Sequence, residues 1–165
     1  MRTTNGGRLI VLAALLLGGG PAVAERALNP GMPALEERYR LTNEWSVTLP
    51  GRFNRRLEQD RIVFAQPGFT VALRIWGNDR SETRAARLTR WRHALPAAAF
   101  DIEAADDPRA LRLGYRLREA PARVPAFHGV VVGDSGHIEV AMSFDAEADL
   151  RTAWQILRSL NEAPR

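Results

Sequence analysis

Seven short segments of this chain show either an alternation of apolar and polar residues or a short apolar run bounded by turn residues, and both patterns predict β-strands. The segments are residues 44–49, 61–65, 69–76, 100–104, 111–117, 126–133 and 137–144. Turn-forming residues separate several of them, including Pro50-Gly51, Gln66-Pro67-Gly68 and Asp134-Ser135-Gly136. Strands joined by such short turns pair antiparallel, so the sequence predicts a sheet built largely from hairpins.

Two stretches have helical spacing instead. In the first, Asp79 is the predicted N-cap with Glu82 three residues later, and the stripe of residues at helical spacing extends to Leu95. In the second, Asp145 is the predicted cap, and the apolar stripe includes Leu157. One helical turn is also predicted within residues 34–40.

The resulting order is β-β-β-α-β-β-β-β-α. It predicts an α+β fold, an antiparallel sheet of about six or seven strands covered by two main helices. Residues 44–165 form this single domain, after a partly ordered lead-in over residues 25–43. A chain of this length is sufficient for one hydrophobic core and too short for two comfortable ones.

The last hairpin has two candidate registers. A three-residue loop sets His128 opposite Met142, whereas a two-residue loop sets Phe127 opposite Phe144 and points His128 outward. The pattern leaves both open.

The amino-terminal residues have the features of an export signal. Arg2 and Arg8 precede an apolar run over residues 9–17, and small residues follow at 22–24. The predicted cleavage lies between Ala24 and Glu25, which makes residues 1–24 a signal peptide.

The apolar run is about half of the ~20 residues that span a bilayer, so a transmembrane anchor is not expected. The chain has no Cys, which rules out both a lipid anchor at this position and disulfide bonds. The predicted location is therefore periplasmic or secreted.

Charge argues against a nucleic-acid partner. The whole chain has a net charge of +4, and every one of its 23 basic residues is Arg. Removing Arg2 and Arg8 leaves 21 Arg against 19 Asp and Glu, a net charge of +2. A nearly neutral domain lacks the basic excess that binds phosphate backbones.

Several segments together resemble a known group of small domains. They are the opening Trp45-Ser-Val-Thr-Leu-Pro50, the paired strands over 61–76, the midpoint helix, and the 138–144 strand that leads through Asp145 into a helix ending at Leu160. In these features the chain resembles the PsbP-like and DcrB-like domains over nearly all of the mature protein. The resemblance implies an antiparallel sheet between helices, used mainly as an exported docking module or accessory subunit. It offers no shared catalytic motif to carry over.

The three histidines are the first candidates for a metal site or a general base. His128 and His137 lie in the same hairpin, and roughly five strand steps of ~3.3 Å separate them. His93 lies near the end of the midpoint helix with no His or Cys four residues away. This spacing does not predict a zinc site, and the expected metal and cofactor content is none.

Two further groups of residues suggest chemistry but have simpler interpretations. His137 with Asp134 and Ser135 could form a hydrolytic triad, yet Asp, Ser and Gly are the residues that hairpin turns require. The acids Asp101, Glu103, Asp106 and Asp107 could bind a divalent cation. They lack the spacing of a calcium loop, so a solvated strand face and a turn explain them better.

Four residues are candidates for contact with a partner or an anion. Arg112, Arg116 and Arg118 alternate along one strand and share one face, and they could meet a row of arginines on the midpoint helix at 84, 87 and 90. Trp76 lies opposite the apolar face of its own strand. If the second face of the sheet is open, Trp76 is a contact residue; if it is covered, Trp76 belongs to the core.

The functional expectation is an exported, non-enzymatic module that docks on a protein partner. Two alternatives remain: a small hydrolase or metal-dependent enzyme that uses His128 or His137, and a carrier of a small apolar ligand between sheet and helix.

Overall fold

A computed structural model describes residues 28–118 and 126–163. The predicted signal peptide and its cleavage point lie outside these residues, as does the proline-containing segment 119–125. The strands of the described part are β1 (Ala34–Arg40), β2 (Trp45–Glu58), β3 (Arg61–Gln66), β4 (Phe69–Gly77), β5 (Phe100–Asp107), β6 (Ala110–Leu117), β7 (Ala126–Val132), β8 (Gly136–Phe144) and β9 (Asn161–Glu162). The helices are α1 (Arg84–His93) and α2 (Leu150–Ser159), with a 3₁₀ turn (Glu147–Asp149) directly before α2.

All nine strands belong to one antiparallel sheet, in the order β1-β2-β3-β4-β8-β7-β6-β5, with β9 paired to the start of β2. The antiparallel sheet with two helices confirms the predicted architecture in outline. The predicted strand count of six or seven is wrong, because β1 and β9 were not recognised as strands.

Each helix packs against a different face of the sheet. Phe127 and Met142 lie opposite each other and belong to the larger core, which includes Ile156 and Leu157 of α2. Leu113 and Val130 lie opposite each other on the other face, and they pack with Leu88 of α1. We call these the α2 face and the α1 face. The apolar stripe of α2 is much stronger than that of α1, which explains why α2 covers the larger core.

Two glycines let α2 approach the sheet closely. Gly114 and Gly129 are paired between β6 and β7 on the α2 face. A Cβ at Gly114 would lie 2.4 Å from the Trp154 ring, and one at Gly129 would lie 2.8 Å from a Leu157 methyl. The α2 side chains therefore rest on bare backbone at this point.

The amino-terminal part of the sheet differs from the sequence expectation. The helical turn predicted within 34–40 is wrong, because these residues form the edge strand β1 paired to β2. The turn predicted at Pro50-Gly51 is also wrong. Gly51 has φ +145°, and the register with β1 shifts nearby, so the pair forms a bulge and β2 continues to Glu58.

Both predicted helix caps are wrong. The hydroxyl of Thr83 accepts the N–H of Ala86 and caps α1, whereas Asn78 accepts the N–H of Glu82 just before it. The helix α2 begins at Leu150, after the 3₁₀ turn, and not at Asp145.

Both predicted registers of the last hairpin are wrong. Phe127 lies opposite Met142 and His128 opposite Ala141, while Gly133 donates to the carbonyl of Gly136. The loop is the two residues Asp134 and Ser135. This register places His128 on the α1 face, next to Tyr115 of β6.

Candidate functional site

The α1 face is covered only in part. The helix α1 packs over Leu111 and Leu113 of β6 and Val130 and Val132 of β7. The same face of β4 and β8 carries directly opposed pairs, in order along the strands: Thr70 and Ser143, Ala72 and Ala141, Arg74 and Glu139, Trp76 and His137. Most of these side chains are partly or fully exposed, so this half of the α1 face is open to solvent.

Trp76 lies in an aromatic cluster at one end of this open area. Its ring is stacked on His137, with centroids 6.4 Å apart, and Trp91 of α1 contacts His137 edge-on at 5.8 Å. The guanidinium of Arg74 lies 5.7 Å from the Trp76 ring. Trp76 remains 43% exposed despite these neighbours. The structure therefore places Trp76 on an open face, which is the condition for it to act as a contact residue.

His137 is held largely away from water between these rings. Burial lowers its pKa to about 4, and the positive charges of Arg87 and Arg90 contribute to this shift. Its Nε2 is 4.0 Å from a carboxylate oxygen of Glu139, which is too far for a hydrogen bond. At neutral pH His137 is thus an uncharged member of the aromatic cluster.

This low pKa predicts a loss of stability in mild acid. The unfolded chain binds a proton on His137 below its usual pKa of 6.5, whereas the folded protein does so only near pH 4. Above pH 6.5 the neutral His137 does not lower the free energy of unfolding. This free energy then falls as the pH drops from 6.5 towards 4. Between pH 7 and pH 5 we expect a loss of about 2 kcal/mol from this residue. His137→Gln should remove that part of the pH dependence when urea denaturation is compared at both pH values. A variant whose loss between the two pH values equals that of the wild type contradicts the assignment.

A groove lies beside the aromatic cluster, between α1 and the open sheet surface. Its volume is about 240 Å³. Ala72 and Ala141 form part of its floor, Trp91 contributes from α1, and the charged residues Arg61 and Arg74 line it from the other side. We call it the α1 groove. Alternation along the strands predicted which residues share this face, but nothing in the sequence predicted that α1 leaves half of it uncovered.

Arg112 and Arg116 are not at the surface. Both lie on the α2 face and are 4% exposed. Arg112 donates to the carbonyl of Leu160 at 2.8 Å and to the side chain of Asn161 at 2.6 Å, which joins β6 to the end of α2. Arg116 forms a two-point ion pair with Glu147, and this pair raises the pKa of Arg116 and lowers that of Glu147. These two arginines hold the fold together and do not present a contact surface.

Arg118 is exposed at the end of β6, where its guanidinium lies 5.7 Å from the Phe100 ring. The arginines of α1 lie on the other side of the sheet from Arg112 and Arg116. Arg87 is only 2% exposed and donates to the carbonyl of Gly133, and Arg84 pairs with Asp134. The two arginine rows therefore do not converge into one patch.

The hairpin turn Asp134-Ser135 is a structural junction. A carboxylate oxygen of Glu162 accepts the N–H of Asp134 and the other accepts that of Ser135, both at 2.6 Å. The hydroxyl of Ser135 and the Nδ1 of His137 are buried, and neither has a hydrogen-bond partner among the described residues. The described part therefore contains no hydrogen-bonded Ser–His pair at this turn. Glu162, which the sequence did not single out, joins the carboxyl-terminal end to the turn.

The acids at 101–107 are dispersed among different partners. Asp101 lies 3.6 Å from Arg116, Glu103 pairs with Arg158, and Asp107 accepts the N–H of Arg109 within the predicted turn. Within residues 28–118 and 126–163, no group of three or more His, Asp or Glu side chains is arranged to hold a metal ion. None of the helices in this described part is long and apolar enough to cross a membrane.

Comparison of the sequence with protein-family models and with curated proteins finds no match.

Proposed function

We propose that this chain is an exported, non-enzymatic binding module that docks on a protein partner in the cell envelope through the open half of its α1 face. The leader over residues 1–24 supports the export part of this proposal. The resemblance to PsbP-like and DcrB-like domains supports the docking part, and an antiparallel sheet with two helices is compatible with it.

The observation that carries the proposal is the exposure of Trp76. Tryptophan and arginine are enriched among the residues that dominate binding energy at protein interfaces. Trp76 is 43% exposed on the open sheet surface, with Arg74 beside it and His137 supporting its ring. A ring that its neighbours already hold in place loses little conformational entropy on binding, which favours its use as an anchor.

The first step is to identify the partner by photo-crosslinking. A photoreactive phenylalanine analogue is placed at Trp76, the protein is incubated with an envelope extract, and crosslinked proteins are identified by mass spectrometry. The same analogue at Leu57 is the matched control, because Leu57 is also a large exposed apolar residue, at 65% exposure, but lies away from the α1 face.

The second step tests the role of Trp76 in binding. With the identified partner purified, Trp76→Ala should weaken binding by about 2 kcal/mol, or about 30-fold, because a central aromatic anchor is removed. Leu57→Ala should change the affinity less than about twofold. Isothermal titration calorimetry measures both. Equal losses in the two variants, or crosslinks from position 57 to the same proteins as from position 76, would contradict docking through this face.

A further inference from the structure

The α1 groove has a floor of small side chains. Ala72 and Ala141 lie directly opposite each other in the middle of the β4–β8 pair, and Ala141 is also opposite His128 of β7. The next pair on this face is Arg74 and Glu139, whose side chains are much longer than that of alanine. The depth of the groove at this point results from side chains no larger than a methyl group.

One wall of the groove is aromatic. Tyr115 and His128 are stacked with centroids 5.6 Å apart and an angle of 19° between their planes. Trp91 comes down from α1 and lines the same cavity. A planar ring placed on the alanine floor would thus contact aromatic side chains from both the sheet and the helix, an arrangement that favours aromatic ligands.

The other wall is cationic. Arg61 and Arg74 both line the groove, and they share one counter-ion, Asp60, whose carboxylate is 3.9 Å from Arg61 and 2.7 Å from Arg74. The side chain of Arg61 is half exposed, and among the described residues its one charged contact is this distant one with Asp60, so its guanidinium is available for an anion.

The charges next to the groove balance in number but are unevenly paired. Arg74 lies near both Asp60 and Glu139, whereas the described neighbour of Arg61 is Asp60 alone, at 3.9 Å. A single negative charge on a ligand would complete the pairing of Arg61.

From these features we propose that the α1 groove binds a small aromatic carboxylate, with its ring over Ala72 and Ala141 and its carboxylate on Arg61. The volume of about 240 Å³ is below the roughly 300–1,000 Å³ of pockets for drug-sized ligands, so the ligand has one ring system and a short acidic arm. This site goes beyond the proposed docking function. The groove shares Arg74 and the open half of the α1 face with the docking surface, but Trp76, which carries the docking proposal, does not line it, so the binding of a small ligand does not depend on docking.

The test uses phenylacetate and indole-3-acetate as probes of the full-length mature protein, with binding followed by NMR chemical-shift titration. We expect dissociation constants of about 0.1–1 mM, as for small ligands in a shallow site. Cyclohexylacetate keeps the charge without the aromatic ring, and phenylacetamide keeps the ring without the charge. Each should bind at least fivefold more weakly than phenylacetate. The proposal is wrong if neither probe binds at concentrations up to 10-fold above the expected dissociation constants. It is also wrong if cyclohexylacetate or phenylacetamide binds as tightly as phenylacetate.

Groove-filling variants locate the site. Ala141→Leu should weaken probe binding at least tenfold, since its side chain occupies the floor. Ser143→Leu is the matched control, because Ser143 is an exposed residue on the same face of β8 two positions further on. It should bind the probes within twofold of the wild type.

Arg61→Gln should weaken binding at least threefold and reduce its dependence on salt. If Ala141→Leu binds like Ser143→Leu, the probes bind elsewhere and the proposal is wrong. These outcomes are independent of the Trp76 experiment, so either proposal can fail alone.

Discussion

Gly136→Ala should destabilise this protein more than any other single-methyl addition in the open part of the sheet. Gly136 begins β8 and lies opposite Gly77 of β4. A Cβ at position 136 would be 1.9 Å from the carbonyl oxygen of Trp76 and 2.9 Å from its carbonyl carbon. These are backbone atoms of a paired strand, so no side-chain rotation relieves the overlap. The β4–β8 pairing must separate at this end, and we expect the free energy of unfolding to fall by more than about 3 kcal/mol.

Gly77 provides the matched control for this prediction. A Cβ on Gly77 would meet only the side-chain oxygen of Asp79, at 3.1 Å, and that side chain can move. Gly77→Ala should therefore cost less than about 1 kcal/mol. Urea denaturation of both variants gives the comparison. Similar losses for the two alanines would mean that the close approach at Gly136 does not exist in the protein.

The sequence predicted the hairpins well because two independent signals agreed there. In β4 and β8 alternation, and in β3 a short apolar run, coincides with turn residues at the ends, and the structure has strands at each of these places. In β1 the signals disagree. Its composition, Ala-Leu-Glu-Glu-Arg-Tyr-Arg, favours a helix, and only Leu35 and Tyr39 pack against the core. Pairing with β2 decides the conformation of β1, and local sequence cannot show a tertiary pairing.

For the candidate site, the sequence predicted which residues share a face of a strand, but not which of these faces is exposed. Alternation correctly placed Arg112 and Arg116 on one face of β6, but it could not show that α2 covers this face. The same limit applies to Trp76, whose exposure depends on how far the short helix α1 extends over β4 and β8. The two-residue period of a strand determines which residues share a face. Whether a helix covers that face depends on how elements distant in the sequence pack together. The α1 groove exists for the same reason, because it is the space that α1 leaves open.

Arg112→Met should be the most costly substitution among the arginines of the sheet. The guanidinium of Arg112 is 4% exposed and donates to Leu160, Asn161 and the carbonyl of Ala110. Methionine retains most of the apolar packing but leaves these acceptors buried without a donor. The two shorter bonds, to Leu160 and Asn161, at about 2 kcal/mol each predict a loss of about 4 kcal/mol. Burial lowers the pKa of Arg112, but arginine is not deprotonated in proteins, so the loss should not vary between pH 6 and pH 8.

Arg118→Met is the control for this substitution. It makes the same chemical change directly after the end of β6, at an exposed position whose one described contact is the ring of Phe100. Its cost should stay below about 1 kcal/mol, the range of an exposed cation–π contact. Urea denaturation of the two variants separates a structural arginine from a surface one. Because Arg112 joins β6 to the residues after α2, its loss should also raise amide hydrogen exchange in α2 and β9, whereas Arg118→Met should not. If the two variants are equally stable, the arginines of β6 do not hold α2 in place, and they become candidates for a contact surface again.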